Sequence, residues 1–267
     1  MVKLNQEPLV ETGLKEMRQI YKEFQGKEIG NKSVNDFLAT SFNDEALLKR
    51  YLIGRKYRPQ HAFDTLLSYA EVRFVKYPEM FPAVLPPKEL LLRDNQPVFG
   101  ILKGRDSQGR IVGYFRSGAW DPSKCTLEEL AIIVIPIMEK ALLNKDCLNN
   151  GIVFVHESGG MGFSHAKHYT FSAIIRFLNI YWHSFPLKVK GLYLVNVPTI
   201  FTYIYTMIKP FFPKKLQDRV IFFSTTSRKF KELHQRLSPD ILPTFLGGTL
   251  DPREANDPEF IDLFSGQ

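Results

Sequence analysis

Leu192-Tyr193-Leu194-Val195-Asn196-Val197-Pro198-Thr199-Ile200-Phe201-Thr202-Tyr203-Ile204-Tyr205-Thr206-Met207-Ile208-Lys209-Pro210-Phe211-Phe212 is the stretch on which the fold turns. Its first four residues form a continuous apolar run of strand length, the pattern of a strand buried on both faces. Pro198 can open a helix, and Pro210 must end or kink it. Inside that helix Ile200, Tyr203, Ile204 and Met207 make one apolar stripe; Phe201, Tyr205, Ile208 and Phe212 make another. A surface helix carries a polar face, and this one has only threonines. Two readings follow: a fully buried helix, or a lid with one stripe on an internal cavity and the other on a membrane or partner.

The charge around this helix favours the lid. Lys188, Lys190, Lys209, Lys214, Lys215, Arg219, Arg228, Lys229, Lys231 and Arg236 face only Asp218 and Glu232, a local net charge of +8. The whole chain carries 35 Lys and Arg against 28 Asp and Glu, a net +7, so everything outside this stretch is close to neutral. Anionic lipid attracts each nearby Lys or Arg by about 1 kcal/mol, and apolar contacts add to that. For Arg228 to Arg236 a plain solvated face is the competing reading.

Outward from there, strands alternate with helices. Ile152-Val153-Phe154-Val155 and Val220-Ile221-Phe222-Phe223 read as buried strands, and Ser164 to His183 as one helix. A polar helix is expected over Ser227 to Arg236. Thr126, with Glu129 three residues on, caps a long apolar helix reaching Lys145. Val98-Phe99-Gly100-Ile101-Leu102 and Ile111-Val112-Gly113-Tyr114-Phe115 flank Asp106-Ser107-Gln108-Gly109, the signature of a hairpin. The pattern predicts an α/β layer fold with parallel pairs in a mixed sheet. Before it, Asn43-Asp44-Glu45 caps one helix and Pro59 opens another that runs toward Pro78. Pro82, Pro86 and Pro87 mark a boundary, giving a helical module over 1–95, an α/β domain over 96–250 and a loop-like tail over 251–267.

Composition narrows the function. With 267 residues, 44% of them hydrophobic, the chain fills one large domain or two small ones. Cys125 and Cys147 are too few for a disulfide framework and fit a reducing, cytoplasmic setting. Lys3, Glu7, Glu11, Lys15 and Glu16 occupy the place of a signal core, and Val2 rules out myristoylation. The Asn31-Lys32-Ser33 sequon is therefore expected to be inert. The longest apolar run, Leu130 to Met138, is nine residues where a span needs about 20. Gly159-Gly160-Met161-Gly162 is neither a dinucleotide nor a phosphate loop. There is no GxSxG elbow, so no catalytic residues are assigned. His165 and His168 lack a third ligand at a telling spacing, so no metal is expected. A pI near 9.2 without a reading motif leaves no case for nucleic acid.

Ser184-Phe185-Pro186-Leu187-Lys188-Val189-Lys190-Gly191, Asn196-Val197-Pro198 and Met207-Ile208-Lys209-Pro210-Phe211, taken in order, resemble the CRAL-TRIO lipid-transfer family, in its tocopherol-transfer and retinaldehyde-binding branch. Phe163-Ser164-His165-Ala166 and Asp240-Ile241-Leu242-Pro243 with Gly247-Gly248 fit the same order, and Leu48 to Leu52 with Arg55-Lys56-Tyr57 resembles the family's helical N-terminal module. The likeness covers about residues 35 to 250.

It implies a carrier, not an enzyme: a deep apolar pocket closed by a gate helix, one hydrophobic ligand (tocopherol-, retinoid- or other isoprenoid-like) as cargo, no cofactor, and transient exchange at phosphoinositide-containing membranes. The alternative is a phosphoinositide-regulated sensor or scaffold that binds a lipid without shuttling it. By the same resemblance Phe115, Ala131, Val134, Met138, Ile152, Phe163, Phe177, Ile180, Tyr181, Phe185, Leu187 and Leu192 line the pocket. Ile200, Phe201, Tyr203, Ile204, Tyr205, Met207 and Ile208 belong to the gate. Arg55, Lys188, Lys190, Lys215 and Arg219 hold the headgroup, since guanidinium and ammonium groups offer charge-assisted donors to phosphate. Val134 and Met138 replace two pocket serines of the tocopherol protein, Val197 replaces an acid, and His156 and Met161 replace two aromatic residues. The pocket is differently furnished, so tocopherol itself is not implied.

Overall fold

Short polar side chains set the helix starts near the N-terminus. Asn31 accepts a hydrogen bond from the Val34 amide at 3.1 Å, and Asp44 accepts one from the Leu47 amide at 2.9 Å. Each satisfies a donor that a first helical turn leaves without a partner. The computed structural model describes residues 7–25, 31–223 and 230–265. Within them these caps begin α2 (Lys32–Asn43) and α3 (Glu45–Gly54), which lie between α1 (Glu7–Gln25) and α4 (Pro59–Glu71). Pro59 takes the first turn of α4, and one π-helical stretch, Val72–Lys76, precedes Pro78.

The chain divides into two units, Met1–Ala83 with Arg176–Lys188, and Val84–Ile175 with Val189–Gln267. In the first, α1 to α4 bury Leu14, Met17, Leu38, Leu48, Leu52, Phe63 and Leu66 in one core. Gly13 permits the close approach of α1 to α3, because a methyl group there would lie 2.6 Å from Leu52 Cδ2. The contact division falls at residue 83, ahead of the expected boundary at residue 95. Lys88–Leu91 packs against α5 (Leu127–Ala141) in the second unit, and β1 (Leu92–Arg93) pairs with β2 (Gln96–Pro97) there. The first unit also takes back a remote segment: Phe185 stands edge-on to Tyr69 at 5.7 Å, and Asn179 Nδ2 donates to the Tyr77 hydroxyl at 2.9 Å.

The second unit is built on a five-stranded sheet in sequence order: β3 (Phe99–Arg105), β4 (Ile111–Arg116), β5 (Ile152–Glu157), β6 (Val189–Val195) and β7 (Val220–Phe222). β3 and β4 form the expected antiparallel hairpin; the other neighbours are parallel. Asp106 holds the hairpin turn by accepting from the Gln108 and Arg110 amides at 2.9 Å and pairing with the Arg110 guanidinium. Gly109 supplies the left-handed residue there, φ 68°.

Val112, Tyr114, Val153, Val155, Tyr193 and Val195 alternate onto one sheet face, where Leu237, Leu242, Leu246 and Ala255 cover them completely. The tail is therefore part of the fold: Ala255 is buried, and Asn256 Oδ1 accepts from the Tyr114 hydroxyl at 2.9 Å. Thr126 and Glu129 form the expected capping box of α5, which ends at Ala141 because Asn144 starts α6 (Lys145–Asn150). The single helix expected over 164–183 is broken. α7 (Phe163–Ala166) stops, Thr170 Oγ1 accepts from the Ala173 amide at 3.2 Å to begin α8 (Phe171–Phe177), and a π-helical stretch, Leu178–Ser184, follows. Of the helix expected over Ser227 to Arg236, residues 227–229 lie outside the described residues, and Lys231–His234 is the helical part within them. Cys125 and Cys147 are buried and not joined in a disulfide.

Candidate functional site

The site grows from the ends of β5 and β6. Glu157 closes β5 as a buried acid, and its Oε1 accepts from the Gly159 amide and from Asn196 Nδ2, both at 2.8 Å. Asn196 follows β6 in the left-handed region, φ 54°, an excursion that its short amide side chain tolerates. Arg116 stands beside Glu157 in register; burial holds its guanidinium below the ordinary pKa, with the Glu157 charge opposing. From this fixed corner Pro198 leads into α9 (Thr199–Ile208).

α9 is two-sided. Phe201, Ile204 and Ile208 are buried, whereas Tyr203 and Met207 are 68% and 67% exposed. The buried set has the i, i+3, i+7 spacing of one helix face, so Ile204 leaves the stripe to which Tyr203 and Met207 belong. Phe201 meets the His156 ring at 5.1 Å and the Tyr169 ring at 5.8 Å, both edge to face, and Tyr205 meets Phe222 at 4.9 Å. Outside, Phe211 lies 4.6 Å from Phe171, and both are at least half exposed.

Beneath α9 is the second sheet face. Phe115, His156 and Leu194 are register partners, as are Phe154 and Leu192. Phe115, Phe154, His156 and Leu192 stay only half-buried in the middle of the sheet, although the opposite face is closed throughout. Yet desolvation draws the His156 imidazole down from 6.5 to about 4. The His156 ring thus keeps accessible surface beneath Phe201, 5.1 Å away. Three polar atoms here, His156 Nε2, Ser158 Oγ and the Tyr169 hydroxyl, have no protein hydrogen-bond partner among the described residues. Each such atom costs about 1–3 kcal/mol when buried unpaired.

A family model described as the CRAL/TRIO domain matches residues 95–248. The chain belongs to the CRAL-TRIO family. The alpha-tocopherol transfer protein-like protein of Mus musculus is 31% identical over 215 residues, 80% of this chain and 60% of that protein. Clavesin-1 of Xenopus laevis is 28% identical over 212 residues, 78% and 62% of the two chains. The chain thus spans about 60% of the length of these curated relatives. The crystal structure of Sfh5 superposes with a TM-score of 0.56 at 18% identity, covering 96% of this chain and 93% of that one, a likeness of fold alone.

Against this CRAL-TRIO frame the expected residues separate. Phe115, Ile152 and Leu192 share the half-filled face, together with Phe154 and His156. On α5, Ala131 and Met138 are buried and Val134 half-buried. Phe163 is a correction: it is 77% exposed, because α7 is a single turn at the surface instead of the start of a buried helix. Phe177, Tyr181 and Phe185 run ring to ring at 6.3 and 5.9 Å in the first unit, which also holds Ile180 and Leu187.

Arg55 is a second correction. Its Nε donates to Thr65 Oγ1 at 2.8 Å, and its terminal nitrogens donate to the carbonyls of Trp182, Phe185 and Leu187. Four of its five N–H groups are engaged, three of them on carbonyls at and beyond the end of the Leu178–Ser184 turn, and burial lowers its pKa to about 10. It is a structural clip, with little left for a phosphate. Lys190 and Lys215 are exposed; Lys188 and Arg219 are half-buried. The Arg219 carbonyl accepts from the Leu192 amide at 2.9 Å, which sets Arg219 beside β6 two residues past Lys190.

Sequence reasoning missed Phe154, Tyr169, Phe171 and Asn196. Phe154 was available from strand alternation with Ile152 and His156; Tyr169 was hidden inside the supposed long helix. No helix among the described residues is long and apolar enough to cross a membrane. A groove of about 770 Å³ in the first unit, lined by Val10, Leu14, Glu11, Lys15, Arg18 and Glu45 among others, is rimmed by charge and unsuited to apolar cargo.

Proposed function

We propose that this CRAL-TRIO protein holds one hydrophobic lipid against the half-filled face of its sheet, covered by α9, and exchanges it at anionic, phosphoinositide-containing membranes without catalysing a reaction. The supporting observation is the two-sidedness of α9. Phe201 reaches inward to His156, while Tyr203 and Met207, with Phe211 and Phe171 beside them, offer water a patch of large apolar side chains. Lys209, Lys214 and Lys215 follow within one short stretch of chain. Exposed apolar groups rimmed by cations suit an anionic bilayer surface.

Moving a lipid of ~15 carbons through water exposes its chain at about 0.8 kcal/mol per CH₂, roughly 12 kcal/mol in all. Enclosure removes that penalty from the transit, and the cover then has to open at the right surface. Anionic lipid opens it only by binding the open state more tightly. The test measures cargo transfer from protein to liposomes with and without phosphoinositide, for the wild type and Lys215→Glu/Arg219→Glu. Faster transfer with phosphoinositide, abolished by the double variant, is expected. Equal rates in all four arms refute the coupling, and cargo that binds but never leaves identifies a sensor.

A further inference from the structure

Among the buried polar groups of the second unit that lack a hydrogen-bond partner in the described residues, two stand against Phe201. Glu157 is satisfied by Gly159 and Asn196, and Asn256 by Tyr114 and the Pro252 carbonyl. By contrast His156 Nε2 and the Tyr169 hydroxyl are enclosed and unpaired. Both rings contact the same residue, Phe201, at 5.1 and 5.8 Å. The Tyr169 hydroxyl lies near Ser117, whose own hydroxyl donates to the Glu157 carbonyl and Met161 Sδ. His156 lies on the half-filled face, in register with Phe115, whose ring is 5.5 Å away.

We infer that His156 and Tyr169 form a recognition site for one neutral hydrogen-bonding group of the cargo, a hydroxyl or carbonyl, seated where Phe201 now stands against them. The inference rests on the carrier reading above and adds the chemical class of the ligand's polar end. An imidazole that is neutral in this setting accepts through one ring nitrogen or donates through it, according to tautomer, and a phenol does both. Together they match a hydroxyl, which gives one proton and receives another, or a carbonyl, which receives. A carboxylate or ammonium is disfavoured. The nearest charges in register, Arg116 and Glu157, alternate onto the opposite face and stand beside each other, so an ion beneath Phe201 would be buried without a counter-charge. Phe201 belongs to α9, so the helix that covers the cargo is also the one whose displacement uncovers the polar pair.

The test uses three lipids with one C20 isoprenoid skeleton: phytanol, phytane and phytanic acid. The purified protein is incubated with phosphatidylcholine vesicles holding the three in equal amounts, re-isolated, extracted and assayed by gas chromatography. The wild type is expected to take up phytanol about tenfold over phytane, the worth of one or two buried hydrogen bonds, and to reject phytanic acid. His156→Phe and Tyr169→Phe, which keep ring size, should each pull the phytanol-to-phytane ratio toward one with total uptake unchanged. Far-UV circular dichroism establishes that the variants are folded, and Tyr169→Phe removes only one oxygen atom. A ratio that is the same in wild type and both folded variants, or a preference for the acid, overturns the inference and leaves the carrier reading intact. No uptake of any of the three by the wild type overturns both.

Discussion

His156 carries a consequence for stability. Its ring titrates near 6.5 in the unfolded chain and is drawn to about 4 in the fold by desolvation. Below pH 6.5 the unfolded chain takes up a proton that the folded one refuses, so stability is complete above pH 6.5 and falls as the pH drops toward 4. At 1.36 kcal/mol per unit this single group removes about 3 kcal/mol over that window. Urea unfolding at pH 7 and pH 4 should show the wild type losing about 3 kcal/mol more than His156→Phe. His168 and His183, both also lowered by burial, tilt both proteins alike and cancel in the comparison. An equal loss in the two proteins would sink the assignment. The sequence marks His156 as unusual, a polar residue in an apolar strand, and alternation puts it on the same face as Ile152. Arg55 shows the opposite outcome. Its positive charge is legible, but its three carbonyl acceptors lie 127 to 132 residues away along the chain, and nothing local announces that its donors are spent.

At the scale of elements, periodicity was most informative where one helix meets one environment on each side. The apolar, two-striped character of α9 is readable between Pro198 and Pro210, and its outward residues are those that a bilayer would meet. Met207→Asp and Phe211→Asp are each expected to weaken co-sedimentation with anionic vesicles about tenfold, the transfer value of one large apolar side chain, while leaving urea stability within about 0.5 kcal/mol of wild type. Phe201→Ala on the inward side should instead cost about 3 kcal/mol of stability through the cavity it leaves. Vesicle binding unchanged by both outward substitutions would remove the docking surface. Periodicity was misleading over 164–183, where Ala166, Ala173, Ile174 and Phe177 keep a helical rhythm across a break. The break is made by Thr170 capping a new start, a local competition between side chain and backbone that an apolar count does not register.

For the whole molecule, the two-part organisation was legible from the change of pattern after the proline-rich stretch, but its discontinuity was not. Arg176–Lys188 joins α1 to α4 as part of one unit, although in sequence it looks like the run-up to β6. That has a measurable consequence for the chain cut at residue 83. Such a fragment keeps all four helices and loses Phe185 from its place beside Tyr69 at 5.7 Å, the hydroxyl contact of Ser184 with Ser68 at 3.2 Å, and Pro186 packed on Gly54. It also strips Arg55 of three carbonyl acceptors, which water then replaces. One large aromatic side chain at about 2–3 kcal/mol and the lost charged hydrogen bonds at a similar figure sum to about 5 kcal/mol, as much as a small domain's whole margin. The fragment 1–83 is therefore expected to exchange its α3 and α4 amides at least a hundredfold faster than the full chain, read by hydrogen exchange and mass spectrometry. Arg55→Met in the full chain should move the same amides in the same direction by a smaller factor, because the aromatic packing survives. Native-like protection in the fragment would mean that the four helices suffice, and that the returning segment only rests on a fold already complete.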